Sequence, residues 1–133
     1  MSKTTATRAR PLSPHLTVYR WPPTMLMSIL HRITGGALYV GTLLVAWWLI
    51  AAATSESYFN FVDGLVRSWF GLLVLFGYTW ALMLHLLGGV RHLIWDTGHG
   101  LEKQTSTALA WATLAGSILL TLAIWAGYFL ALG

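Results

Sequence analysis

The sequence predicts an all-α integral membrane protein with three transmembrane helices, and three observations carry that prediction. First, the 133 residues are 56% hydrophobic and 9% charged, where a soluble domain holds roughly 25% charged residues. Second, the charges leave three long gaps. Ile33 to Ser55 and Ser68 to Val90 are 23 uncharged residues each, and the 30 residues from Gln104 to Gly133 carry no charge. A helix rising about 1.5 Å per residue needs about 20 apolar residues to cross roughly 30 Å of hydrocarbon, so each gap is long enough. Third, the eight basic residues are segregated. Lys3, Arg8, Arg10, Arg20, Arg32, Arg91 and Lys103 fall on one side of such a topology and only Arg67 on the other, beside Glu56 and Asp63. Helix is the form expected because it satisfies backbone hydrogen bonds within each span.

Residues 1–24 form the first segment. All four prolines lie in the first 23 residues with no apolar run, which argues against a signal peptide. Residues 1–10 are basic, contain Ser and Thr and lack acids, as a mitochondrial presequence or a short cytoplasmic tail would. The first helix is expected at about 25–53, starting after Pro23 and Thr24, the second at about 65–95 and the third at about 106–131. The basic bias puts the N-terminus and the 92–105 loop on the cytoplasmic side, or the matrix side in a mitochondrion. Trp21, Trp69, Trp95 and Tyr58 fall near span ends, as interfacial aromatics do. In the third span, Ala112, Ala115, Gly116, Ala126 and Gly127 point to close helix packing and a structural role. The chain has no cysteine, which excludes disulfides, thiolate metal sites and cysteine nucleophiles. A net charge of +4 that records orientation makes nucleic acid a poor partner; membrane lipid is the expected one.

Two polar clusters interrupt this apolar pattern. In Ser28-Ile-Leu-His31-Arg32-Ile-Thr-Gly35-Gly36, positions 28, 31, 32 and 35 share one helical face. That face carries a hydroxyl, an imidazole and a guanidinium. Arg32 and His31 either anchor the helix end by snorkelling or line a site. In His85-Leu-Leu-Gly88-Gly89-Val-Arg91-His92-Leu-Ile-Trp95-Asp96-Thr-Gly98, residues His85, Gly89, His92 and Asp96 form a second stripe. His85 lies about 9 Å deeper than Arg91 at helical rise, where an ionisable group is costly unless it faces protein, water or a cofactor. Two readings stay open. His85 ligates haem iron, the commonest axial role of an imidazole, with Gly88 and Gly89 leaving room for the macrocycle. Alternatively, His85 is hydrogen-bonded to a neighbouring helix and the glycines serve packing. Both clusters lie toward the cytoplasmic side, where His31 or Arg32 could pair with a propionate. No other span offers a deep histidine, so a second iron ligand would have to come from another chain. His15 and His99 lie in polar segments and read as solvated. Asp96 and Glu102 read as interfacial acids, Asp96 being a candidate for proton passage only through its place on the His85–His92 stripe.

These two segments, together with Arg10-Pro-Leu-Ser-Pro-His15-Leu-Thr-Val-Tyr19, resemble the cytochrome b subunits of succinate dehydrogenase, the larger membrane anchors of respiratory complex II. The resemblance spans essentially the whole chain, and its Pro-Leu-Ser-Pro-His run is similar to the form shared by alphaproteobacteria and mitochondria. It implies half of a heterodimeric anchor bundle in the bacterial inner membrane, or alternatively the mitochondrial one. It also implies that His85 is an axial ligand of haem b, the opposite ligand coming from a second, smaller anchor subunit. Ser28 and Arg32 match residues of the ubiquinone pocket, His31 and Arg32 match the haem propionate side, and His92 and Asp96 match a histidine and an acid near the pocket. The implied partners are an iron–sulfur subunit and a succinate-oxidising flavoprotein; nothing in this chain could hold their flavin or clusters. Such a chain works as a subunit without activity of its own.

A hydroxyl such as Ser28 can donate to a quinone carbonyl, and a fixed cation such as Arg32 stabilises negative charge developing there. Three other readings remain: an anchor of a quinol:fumarate reductase, a haem-free structural anchor, and a small transporter subunit.

Overall fold

The structure, a computed structural model, describes residues 20–132. Lys3, Arg8, Arg10 and His15, with the first matching segment, lie outside the described residues. Four helices follow one another: α1 (Pro23–Thr54), α2 (Glu56–Arg67), α3 (Trp69–Asp96) and α4 (Lys103–Leu132). There is no strand among the described residues. Helices α1, α3 and α4 are the three long and apolar enough to cross a membrane.

Pro23 is the first residue of α1, where its missing N–H and fixed φ cost nothing. Between the first two spans lies a further 12-residue helix, α2, and the second spanning helix starts at Trp69 rather than near 65. Two serines make this possible. Ser55 is extended (φ −163°) and its side chain accepts from the Tyr58 backbone N–H at 3.2 Å. Ser68 likewise accepts from Gly71 N–H at 3.1 Å. Each satisfies an orphan donor of the helix it starts while turning the chain. Side chains then tie α2 to the end of α1: Trp47 Nε1 donates to Tyr58 Oη at 2.7 Å and Trp48 Nε1 to Asp63 Oδ1 at 3.4 Å. Asp63 also accepts from Arg67 Nε at 2.6 Å, and this hydrogen bond and charge raise the Arg67 pKa above its ordinary value.

The turn from α3 to α4 uses Gly98 and Gly100, at φ +79° and +72°, a region that other residues rarely adopt. Trp95 Nε1 closes it by donating to Gly100 O at 3.1 Å. The interior is small, built on Met27, Leu84 and Ala110 with Leu30, Trp80 and Leu114 packed against them.

Helix α4 packs through Ala110, Thr113, Ser117 and Thr121, all buried. Of the small residues expected to pack, Gly116 approaches α3 through Leu87, while Ala112, Ala115, Ala126 and Gly127 are exposed on the surface of this chain. Small hydroxyl residues can be buried here because each returns its O–H to a carbonyl of its own helix, as Thr113 does to Leu109 and Thr121 to Ser117. The hydroxyl is satisfied while its small volume admits the neighbouring helix. Helices α1 and α3 approach closely where the Tyr78 ring lies over bare Gly41. Between α1, α2 and α3 an apolar groove of about 860 Å³ remains, its walls including Trp48, Phe70 and Tyr78. In each spanning helix only 11% of the most apolar window is buried within the chain.

Candidate functional site

The first turns of α1 and the last turns of α3 converge at one end of the bundle. There His31 and His85, 54 positions apart, stack with ring centroids 3.9 Å apart and planes 5° from parallel. His85 Nδ1 lies 3.2 Å from the backbone oxygen of His31. With its proton on Nδ1 the ring donates to that carbonyl and leaves the Nε2 lone pair free. The same carbonyl also takes part of the Thr34 hydroxyl, at 3.0 Å. His92, one turn beyond Gly88, joins the cluster at 5.4 Å from the His31 ring and sits edge-on to Trp95 at 5.1 Å.

The two adjacent glycines have different surroundings. Gly88 is buried, and a Cβ there would stand 2.5 Å from His31 Nδ1, so it serves helix packing and offers no room for a macrocycle. Gly89 has nothing within 4 Å of its missing side chain. The stripe of His85, Gly89, His92 and Asp96 runs from half-buried to exposed, which leaves it open on the outer face of the chain. Ser28 is half-buried and Arg32 exposed on α1, and neither has a hydrogen-bond or ion-pair partner among the described residues. Asp96 is exposed beyond the cluster and forms no ion pair with a described basic residue.

Arg91, one of the basic residues that set orientation and a member of the second polar cluster, lies inside the bundle. It is 2% exposed, its Nε and one terminal nitrogen lack hydrogen-bond partners among the described residues, and its guanidinium lies 4.9 Å from the centre of the Trp95 ring. Ala81, Leu84, Gly88 and Arg91 recur at three- and four-residue steps, the period of one helical face, and are the buried residues of α3. His31 Nδ1 is likewise buried and unpartnered. Among the described residues no three His, Asp or Glu side chains converge on a metal position.

Such a molecule is defined as a three-span membrane protein carrying paired imidazoles and an open histidine stripe at one end. The family model described as succinate dehydrogenase/fumarate reductase transmembrane subunit matches residues 6–124. The chain is 51% identical to the succinate dehydrogenase cytochrome b556 subunit of Paracoccus denitrificans, over 84% of this chain and 85% of that one. It is 38% identical to the b556 subunit of Rickettsia felis, over 87% and 90%, and 45% identical to the mitochondrial b560 subunit of Sus scrofa, over 69% and 56%. The chain belongs to the succinate dehydrogenase/fumarate reductase transmembrane subunit family, and its sequence is of the cytochrome b type within it.

Proposed function

We propose that this chain anchors a succinate dehydrogenase in the bacterial inner membrane, supplies one axial histidine to haem b and forms one wall of a ubiquinone-reduction site. The observation that carries the reading is the setting of His85. Its Nδ1 is directed to a backbone carbonyl 3.2 Å away, the outer contact that fixes tautomer and ring plane in metal-ligating histidines, and the outer face beside it is kept bare by Gly89. Arg32, exposed and without a partner among the described residues, is the cation proposed to meet an acidic group such as a propionate, with His31 beside it on the same helix. These residues fit a haem whose second ligand comes from a smaller anchor subunit. When bound, haem b supplies a one-electron carrier within the membrane.

The remaining chemistry belongs to this chain's side chains. Ser28 donates a hydrogen bond to a quinone carbonyl. Arg32, fixed and positive, stabilises negative charge developing on the quinone head group, an interaction strengthened by the low dielectric of its surroundings. His92 and Asp96, exposed at the same end, are the proposed route by which protons arrive. Electrons reach the site from succinate through a flavoprotein and an iron–sulfur subunit, and the chain has no activity apart from them. That the named relatives are succinate dehydrogenase subunits favours this direction over quinol-driven fumarate reduction.

Absorption spectroscopy of the purified complex tests the reading. A dithionite-reduced sample should give b-type bands, and His85→Leu should alter or remove them. A wild-type complex without such bands would leave only the anchor, and an unchanged spectrum in His85→Leu would mean that another residue is the ligand.

A further inference from the structure

His85 is confined on more sides than an axial ligand requires, and one of those sides is a glycine of the facing helix. A Cβ on Gly35 would stand 3.1 Å from His85 Cε1 and 3.6 Å from Nδ1, whereas at the adjacent Gly36 nothing lies within 4 Å. One edge of the imidazole is therefore lodged against bare backbone at Gly35, Nδ1 rests on the His31 carbonyl, and the His31 ring covers one face at 3.9 Å. We propose that Gly35 is a positioning residue for His85, setting the length of the Nδ1–H bond to His31 O and hence the donor strength of Nε2. The proposal rests on the reading of His85 as a haem ligand.

The argument is geometric. Cε1 and Nδ1 are bonded neighbours, so a methyl group at position 35 pushes both in the same direction, by a few tenths of an ångström. The hydrogen bond that this push disturbs is already long at 3.2 Å, against about 2.9–3.0 Å for a typical N–H···O bond. The stacked His31 ring blocks one route of escape for the imidazole. Weakening Nδ1–H donation makes the imidazole a poorer electron donor, because that outer hydrogen bond is what raises ligand basicity. A poorer donor favours the reduced iron, so the midpoint potential moves to more positive values. Gly36 supplies an internal control on the same helix turn.

The experiment compares Gly35→Ala with Gly36→Ala in the assembled, purified complex. The readouts are haem content, the low-spin electron paramagnetic resonance signal, the midpoint potential from redox titration, and succinate oxidation by an artificial acceptor. Gly35→Ala is expected to keep haem content and artificial-acceptor activity, shift the resonance signal and raise the potential; Gly36→Ala is expected to match wild type throughout. Gly35→Val, with a larger side chain against the same edge, should shift both signals further or lose the haem.

A Gly35→Ala complex that matches wild type in signal and potential, or is matched by Gly36→Ala in its shift, overturns the proposal. Failure of Gly35→Ala to assemble also overturns it, because a contact at 3.1 Å asks for a small displacement and not for unfolding. Absence of b-type bands in the wild-type complex removes the underlying reading, and that outcome is seen before any variant is made.

Discussion

Ser28, His31, Arg32 and His85 share one end of the bundle, yet their environments separate their tasks. His31 and His85 are held by each other and by backbone, which suits groups whose orientation matters. Ser28 and Arg32 keep their polar atoms free of partners among the described residues, which suits groups that meet a ligand from outside. Loss of a charge-assisted contact costs about 1.5–3 kcal/mol, so Arg32→Leu should lower ubiquinone reduction by about tenfold or more. Ser28→Ala, which removes a neutral donor, should have a smaller effect in the same direction. In both variants, succinate oxidation by an artificial acceptor should be largely preserved; parallel loss of the two activities would point to failed assembly. Arg91 differs from all of these, since its guanidinium is buried beside the Trp95 ring and two of its nitrogens lack hydrogen-bond partners among the described residues.

The corner built by Ser55, α2 and Ser68 gives the connection between α1 and α3 a fixed shape. Its tightest point is Gly71, where a side chain would run into the backbone of Leu65 and Val66. Backbone cannot turn aside as a flexible side chain does, so Gly71→Ala should destabilise the fold by about 1–3 kcal/mol and lower the apparent melting temperature in detergent. Gly64, in α2 itself, has nothing within 4 Å. Gly64→Ala should instead be stabilising by about 0.4–1 kcal/mol, because it restricts the unfolded chain without a clash. Equal melting temperatures for the two variants would mean that the corner is looser than described. The Asp63–Arg67 pair at this corner is exposed on the Arg67 side and adds little, as surface ion pairs do.

The molecule as a unit has a small interior and a large apolar exterior, with Trp69, Tyr39 and Leu130 each more than 70% exposed. In water this surface would aggregate; in a bilayer it meets lipid tails and neighbouring helices. The helix order fixes sidedness once one end is known, because α3 ends and α4 begins at the end where α1 starts, while α2 lies at the other. The chain contains no cysteine, so single-cysteine variants report this directly. His99→Cys should react with a membrane-impermeant maleimide from the cytoplasmic side, and Asn60→Cys only from the opposite side; labelling of both from one side would refute the topology.

The three spans were legible because hydrocarbon thickness sets a length that a charge-free run either meets or misses. The polar clusters were legible because ionisable residues at depth have few reasons to be there. Helix α2 was not, since its short amphipathic sequence, bounded by two serines, carries no length criterion. The face that α4 turns to α1 and α3 was less legible, because threonine and serine that return their hydroxyls to the backbone pack as closely as alanine and glycine do. Span number and the bias in basic residues follow from composition along one dimension. The stack of His31 on His85, the fit of Gly35 and Gly88 to those rings, and the burial of Arg91 depend on which faces α1, α3 and α4 turn toward one another. That choice is set by side-chain volume at the crossing points, and only the folded bundle decides it.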